Sequence, residues 1–307
     1  FLSLSPSIMI TSRVELWKQL EENIPLPTRF RRLYKISYHE FLTKIYSNLD
    51  LDMIENLYAG DAYIIKGGFP RQWIIKLRRD VHNYCMTHKS LFFKMLEGTP
   101  DFHRIIDFEN ASKYSIGSCK HSCYFYHWNE DPFNVFEIIN QRWRPLKLLM
   151  GLLYNEYENN TPKDGVVDRI QVVRYPPNLG YLEPHVDAYQ HQRLIFSGYM
   201  SQRGVDYQGG GFYLINSENE PVNIEDEIET GDFLFCYASV FHGVAPCDID
   251  KECDWTKDDG RWFLSMYSNA SDELEDKNGV VFPPRATASP IKLDIPGVLP
   301  SVPTTTE

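Results

Sequence analysis

The chain has 307 residues, of which 43% are hydrophobic and 14% aromatic, so it is long enough to bury a substantial core. Its 31 basic and 42 acidic residues give a formal net charge of −11, which argues against a nucleic-acid surface and against binding to an anionic membrane. No run approaches the roughly 20 apolar residues of a membrane helix, and a small-molecule partner is favoured.

The first half of the chain is predicted to be mainly helical. Ser12 and Glu15 have the spacing of a capping box, and a short amphipathic helix is expected after them. Further helix is predicted over 38–58 and over 71–86, where apolar residues recur at helical spacing. Asp131 followed by Pro132 predicts a helix start, and residues 133–157 are expected to continue as helix with a kink at Pro145.

Strands dominate the second half. Residues 168–175 alternate in polarity, so Gln171 and Tyr175 share one face. We expect this face to look toward a cofactor; the alternative is that both residues only satisfy hydrogen bonds within the core. Further strands are predicted over 192–202, 210–216, 233–237 and 261–267. The chain is therefore interpreted as an α+β protein with three parts: helical and strand decoration over 1–160, a strand-rich core over 161–280 and an extended tail over 281–307.

A pair of residues follows the strand over 168–175 and carries the main chemical signal. His185 and Asp187 are separated by one residue in a segment predicted to be extended, so their side chains point the same way. His242 follows the later strand over 233–237 and is the third member of the set. Two imidazoles and one carboxylate are the ligands of a facial triad, which binds non-haem Fe(II) and leaves open coordination positions.

Arg261 opens the last predicted strand, in an aromatic and apolar run. A buried arginine needs a partner, and its planar guanidinium is suited to hold a carboxylate through two hydrogen bonds. The stretch between His242 and Arg261 is long and polar, and it is interpreted as an inserted hairpin loop.

The order of these motifs resembles the Fe(II)/2-oxoglutarate-dependent dioxygenase superfamily. The resemblance rests on residues 165–270 and implies a double-stranded β-helix, or jelly-roll, barrel with flanking helices. It implies that His185, Asp187 and His242 ligate iron, that Arg261 holds the distal carboxylate of 2-oxoglutarate, and that O2 is the second co-substrate, with ascorbate as a candidate reductant. Oxidative decarboxylation of 2-oxoglutarate to succinate would then be coupled to removal of a hydrogen atom from the substrate.

Three further segments look like kainoid synthases, enzymes that close a pyrrolidine ring on an N-prenylated glutamate. They are Lys66-Gly67-Gly68-Phe69-Pro70, Tyr126-His127-Trp128-Asn129 and Tyr175-Pro176-Pro177. The resemblance implies a carboxylate-bearing, prenylated substrate and natural product biosynthesis. Residues assigned to the substrate pocket are the arginines Arg174, Arg193 and Arg203 for carboxylates and the aromatic residues Tyr126, Trp128 and Tyr189 for apolar walls.

Six cysteines are few for a chain of this length, which favours a reduced, intracellular and cytoplasmic setting. Because the chain begins with Phe1, a removed leader remains an open alternative. Cys119, His121 and Cys123, with His127 nearby, have the composition of a zinc site, yet the usual paired spacing is absent. A loop or strand packed on the barrel is the expected structure for that segment.

Two other functions stay open. A hydroxylase of an amino acid or other small molecule would use the same residues and add one oxygen atom to its substrate, whereas cyclisation removes two hydrogen atoms. A jelly-roll module that binds a metal without turnover belongs to another class. The complete ligand set together with Arg261 favours an enzyme over such a module.

Overall fold

A computed structural model describes residues 12–111 and 116–274. Six α-helices occur in these residues: α1 (Arg13–Asn23), α2 (Tyr38–Tyr46), α3 (Leu51–Tyr58), α4 (Arg71–Thr87), α5 (Phe108–Ala111) and α6 (Phe136–Leu149). None of the helices in these residues is both long and apolar enough to cross a membrane. Of the predicted tail over 281–307, nothing lies within the described residues.

Twelve strands form one mixed sheet. They are β1 (Leu33–Ser37), β2 (Ala62–Lys66), β3 (Phe102–Ile106), β4 (Ser118–Tyr126), β5 (Val166–Tyr175), β6 (Tyr181–His185), β7 (Leu194–Tyr199), β8 (Gly211–Ile215), β9 (Pro221–Asn223), β10 (Phe233–Tyr237), β11 (His242–Ala245) and β12 (Arg261–Ala270). Their order is β1-β2-β10-β7-β12-β5-β4-β6-β11-β8-β9, and β3 pairs with β4 off this path. Strands from the first 160 residues therefore extend the same sheet as the later ones.

Strand β4 joins the two halves of the sheet. Its residues from His121 to Tyr126 pair with β5, whereas Ser118 and Cys119 pair with β6. All strand pairs are antiparallel except β1 with β2. Both halves of the sheet thus include β4, and the side chains of β4 and β5 can line a space between the halves.

The helix predicted over 133–157 is shorter than expected. The Asp131 carboxylate accepts the backbone N–H groups of Val135 and Phe136 at 2.9 Å, so α6 begins only after this cap. At the other end Gly151 adopts a φ of 77°, and the backbone N–H of Leu152 bonds to the carbonyl of the last turn, which ends the helix. The residues after Gly151 form turns because glycine takes this left-handed conformation without a side-chain clash.

Several other expectations are confirmed. The capping box of Ser12 and Glu15 is present at the start of α1, and the strand over 233–237 has the expected bounds. The helical region over 38–58 contains two helices, α2 and α3, separated near Asn48, whose φ is 53°. Residues 247–260 contain no strand, as the polar loop composition indicated.

One large apolar core lies between the sheet and the helices, with Trp17, Trp143 and Trp262 fully buried in it. A second, smaller cluster is separate from this core and consists of Met95, Phe102, Tyr124, Tyr126 and Val167, with Trp128 packed against it. The second cluster lies beside β4 and forms part of the wall of a side cavity described below.

Candidate metal centre

The three predicted metal ligands come together at the facing ends of two strands. His185 ends β6, His242 begins β11, and the two residues are direct partners in the antiparallel register. Nε2 of His185 lies 3.4 Å from Oδ1 of Asp187, and Nε2 of His242 lies 3.7 Å from Oδ2 of the same carboxylate. All three ligand atoms are within 4.8 Å of one another, as atoms around one ion must be.

Backbone carbonyls fix which nitrogen of each imidazole carries the proton. Nδ1 of His185 donates to the carbonyl of Glu183 at 2.8 Å, and Nδ1 of His242 donates to the carbonyl of Val240 at 2.9 Å. Each Nε2 therefore presents a lone pair toward Asp187. Two lone pairs and a carboxylate that face one another repel, so the arrangement requires a cation between them.

Protonation of His242 is not the source of this positive charge, because burial disfavours it. Burial first, and the neighbouring His185 second, lower the pKa of His242 to about 4. His242 is therefore neutral near pH 7 and is available as a ligand. Two neutral imidazoles and one carboxylate fit a divalent transition metal such as Fe(II).

A cavity of about 330 Å³ opens beside this ligand set. Gln171 and Tyr175 both line it, as their shared face on the predicted strand implied, and Tyr267 donates a hydrogen bond to Oδ2 of Asp187 at 3.3 Å. The remaining lining residues described are Arg104, Ile106, Ile116, Ser118, Lys120, Tyr124, Arg169, Leu182, His185, Asp187, Ala188, Phe263 and Asn269.

Arg261 is fully buried behind the Tyr175 and Phe263 walls of the cavity, with its guanidinium 5.5 Å from the centre of the Tyr175 ring. Nε donates to Oε1 of Glu225 at 2.7 Å, and the Tyr207 hydroxyl also hydrogen bonds to Glu225. The chain thus supplies one carboxylate for Arg261 itself, a partner that no sequence motif indicated.

Part of this buried group remains without a partner. Nη1 of Arg261 and the hydroxyl of Tyr175 form no hydrogen bond to any described residue. Buried donors are nearly always satisfied, so these two atoms indicate a missing acceptor. A carboxylate-bearing molecule that enters the cavity fits that requirement, and the role predicted for Arg261 stays a prediction.

The three arginines assigned to substrate lie elsewhere and each pairs with an acid of the chain. Arg174 pairs with Asp259 at 2.6 Å, Arg193 with Glu21 at 2.6 Å and Arg203 with Asp226 at 2.5 Å. None of the three lines the main cavity. Among the aromatic residues, Tyr126 stacks on Trp128 with ring centres 4.4 Å apart, whereas Tyr189 packs on the core near Tyr237.

Different cations line the cavity: Arg104, Lys120 and Arg169. Lys120 has neither a hydrogen bond nor an ion pair with any residue of 12–111 and 116–274. Burial first, and then Arg104, lower the pKa of Lys120 to about 8. Its charge near neutral pH is therefore held in a partly desolvated site, where Asp187 attracts it through space without forming an ion pair.

Arg169 likewise has no acidic partner within the described chain. Its guanidinium lies over the rings of Tyr124 and Tyr267, at 5.2 and 5.6 Å, and its only side-chain hydrogen bond there is a long one to Gln171 at 3.5 Å. The sequence did contain a signal, since Arg169, Gln171 and Tyr175 share the parity of one strand face. Lys120 gave no such signal of parity, because its segment was expected only as a loop or strand packed on the barrel, without a register.

A side cavity of about 190 Å³ adjoins the main one and shares Arg104, Tyr124, Arg169 and Asn269 with it. We call it the aromatic annex; its other walls are Phe92, Phe93, Met95, Phe102, Tyr126, Ala270 and Asp272. A molecule bound at the metal could therefore place a charged group among cations and an apolar group among aromatic rings.

No family profile and no curated protein sequence matches the chain. Among solved structures, it is similar to a Pseudomonas putida prolyl-4-hydroxylase (11% identity, 71% of this chain and 97% of that chain, TM-score 0.44). It is also similar to a full-length Neurospora crassa protein in complex with alpha-KG and thymine (12%, 78% and 86%, TM-score 0.46). A third is the Trichoplax adhaerens prolyl hydroxylase in complex with a hypoxia inducible factor peptide fragment (13%, 76% and 92%, TM-score 0.44).

Proposed function

We propose that this protein is an Fe(II)/2-oxoglutarate-dependent oxygenase built on a double-stranded β-helix. The observation that carries the proposal is the convergence of two imidazole lone pairs and one carboxylate, with both tautomers fixed by backbone carbonyls. The fold proposal is supported by two sheet halves that meet at β4, with the ligands at the facing ends of β6 and β11.

His185, Asp187 and His242 would hold the iron, and Nη1 of Arg261 with the Tyr175 hydroxyl would receive the distal carboxylate of 2-oxoglutarate. When bound, iron supplies the oxidising chemistry that couples O2 and 2-oxoglutarate to removal of a substrate hydrogen atom. The aromatic walls of Tyr175, which is fully buried, and of Tyr267, which is partly exposed, would limit the access of water to the reacting groups. The role of the protein is thus to position the substrate C–H bond and keep the site dry.

For the substrate, we propose an N-prenylated glutamate that undergoes oxidative carbon–carbon cyclisation, as in kainoid synthases. Lys120 and Arg169 provide unneutralised positive charge for its carboxylates, and the aromatic annex provides apolar walls for a prenyl chain. Arg104 borders both spaces and would lie between the two parts of such a molecule.

Anaerobic addition of Fe(II) and 2-oxoglutarate to the purified protein tests the oxygenase proposal. We expect the weak visible charge-transfer band of the iron chelate in wild type, its loss in His185→Ala and its retention in His39→Ala, a change of an exposed histidine on α2. Metal binding without this band in wild type would reject 2-oxoglutarate and favour a metal-binding module.

Product mass tests the substrate proposal separately. Cyclisation of an N-prenylated glutamate removes two hydrogen atoms, whereas hydroxylation adds one oxygen atom. A chelate band without turnover of any N-prenylated glutamate would reject the cyclase and leave the oxygenase in place, with a small-molecule or amino-acid hydroxylase as the alternative.

A further inference from the structure

A second group of potential metal ligands lies behind the wall of the main cavity. Strand β4 presents Lys120 and Tyr124 to that cavity, and the alternating residues His121 and Cys123 face away from it, where Cys123 meets Cys85 of α4. Cys85, His121 and Cys123 are all buried. We call these three residues the rear cluster; it shares no residue with the iron ligands.

The three side chains are close enough to bind one ion. Their ligand atoms lie within 4.8 Å of one another, and the sulfur atoms of Cys85 and Cys123 are 2.8 Å apart. Cys85 comes from a helix and precedes Cys123 by 38 positions, so this grouping exists only in the folded chain. Cys85 thus takes the place for which the sequence offered Cys119, which lies outside the cluster together with His127.

A chain of hydrogen bonds fixes the tautomer of His121. Nε2 of His103 lies 2.9 Å from the backbone carbonyl of His88, which only accepts, so this nitrogen carries the proton. Nδ1 of His103 then accepts from Nε2 of His121 at 2.8 Å. The lone pair of His121 is consequently on Nδ1, the arrangement in which the other nitrogen of a metal-bound histidine donates to a neighbour.

We propose that the rear cluster is a zinc site, separate from the iron site. Two thiolates balance the charge of Zn²⁺ and the neutral imidazole adds none, so the ion and its ligands are neutral in apolar surroundings. Binding releases the two thiol protons to solvent. Zinc–sulfur distances of about 2.3 Å require the two sulfur atoms to separate by roughly 1 Å, which side-chain rotation of the cysteines allows.

The consequence is a link between α4 and β4 directly behind Lys120 and Tyr124. The ion would fix the strand that carries part of the substrate wall without touching the substrate. The three protein ligands leave one position of a tetrahedral zinc ion open. Because the ion would not touch the substrate, its occupancy is measurable without any assay of turnover.

Co²⁺ is the probe for this site in the reduced, full-length protein. Thiolate ligands give Co²⁺ an intense near-ultraviolet charge-transfer band, and the His185, Asp187 and His242 set contains no sulfur. We expect the band to develop by two equivalents of Co²⁺, because the iron ligands also take up this ion. Zn²⁺ should abolish the band, and both Cys85→Ser and Cys123→Ser should lose it. Cys119→Ser is the matched control, because Cys119 is fully buried on the same face of β4 and lies outside the cluster.

Absence of the band in reduced wild type, or an unchanged band in Cys85→Ser, would overturn the zinc site. So would a Cys85–Cys123 disulfide, detected as a linked peptide that persists when the unreduced protein is purified with Zn²⁺. If the serine variants do not fold, alkylation of the thiols in wild type tests the proposal. Zn²⁺ should protect two thiols from alkylation, and a chelator should expose them again; a lack of protection would contradict the proposal.

Discussion

Two groups of charged residues differ in whether each charge has a partner of opposite sign: the inner region, made of the metal ligands and of Arg261 behind the cavity wall, and the outer region, made of Lys120 and Arg169 on that wall. In the inner region, Asp187 faces two oriented imidazoles and Arg261 already has Glu225. In the outer region, Lys120 and Arg169 have no acidic partner within the described residues, and the aromatic annex adjoins them. Because an unpaired charge in a partly buried site is costly, its retention indicates a function that requires it.

Under the proposed function, the inner region would carry the chemistry and the outer region would select the substrate. The inner groups are held by backbone carbonyls and by each other, so they are preorganised for any substrate. The positive charges of Lys120 and Arg169 would gain an acidic partner only when an anion binds. Changes in the inner region should therefore affect all substrates alike, and changes in the outer region should affect only those that reach the altered group.

The largest effect is expected from Asp187→Ala. Loss of the only carboxylate removes a metal ligand, and we expect succinate formation to fall by at least about a hundredfold with every substrate, since even loss of a group that merely supports a ligand costs up to that much. Succinate and bound iron are measured together. Selective loss with one substrate only would contradict the assignment of Asp187 to the inner region.

Arg261→Leu should leave Glu225 buried without its partner and lower the free energy of unfolding by about 3–5 kcal/mol, measured by urea denaturation. The double variant Arg261→Leu/Glu225→Leu should recover most of that stability, because no lone charge remains. Neither variant should bind 2-oxoglutarate normally in the chelate-band titration. Normal binding by the stable double variant would show that Arg261 has only a structural role.

Lys120→Met tests the outer region. A hydrogen bond to a charged group contributes about 1.5–3 kcal/mol, so the KM for a carboxylate-bearing substrate should rise by about tenfold or more. The chelate band formed with Fe(II) and 2-oxoglutarate should not change. Loss of that band would place Lys120 at the co-substrate and reverse its assignment.

Substrate affinity should also depend on pH through Lys120. Its pKa is lowered to about 8, first by burial and then by Arg104, so the amine is charged below that pH and neutral above it. Affinity for an anionic substrate should therefore fall as pH rises through about 8 in wild type and remain flat in Lys120→Arg. The same decline in both proteins would point to another titrating group.

The smallest effect is expected from Phe92→Ser in the aromatic annex. Phe92 is 62% exposed, so the free energy of unfolding should change by no more than about 0.5 kcal/mol. The KM for a prenylated substrate should rise by roughly threefold to tenfold, because part of its apolar contact is lost. A substrate without the prenyl group is the control, and an equal effect on it would exclude the annex as the prenyl site.

The sequence by itself determined the local features. Alternation placed Gln171 and Tyr175 on one face, the spacing of His185 and Asp187 directed both side chains the same way, and the capping box fixed the start of α1. These features depend on neighbours within a few residues, and local periodicity and capping chemistry are sufficient for them.

Only the tertiary structure decided which distant groups meet. Glu225 reaches Arg261, Cys85 reaches Cys123, and Lys120 lies in the cavity without a partner because strands and helices far apart in the chain pack together. The arginines assigned to the substrate instead form ion pairs with acidic residues outside the cavity; they are Arg174, Arg193 and Arg203. Charge pairing is set by through-space distance and burial, and neither quantity is encoded in sequence spacing.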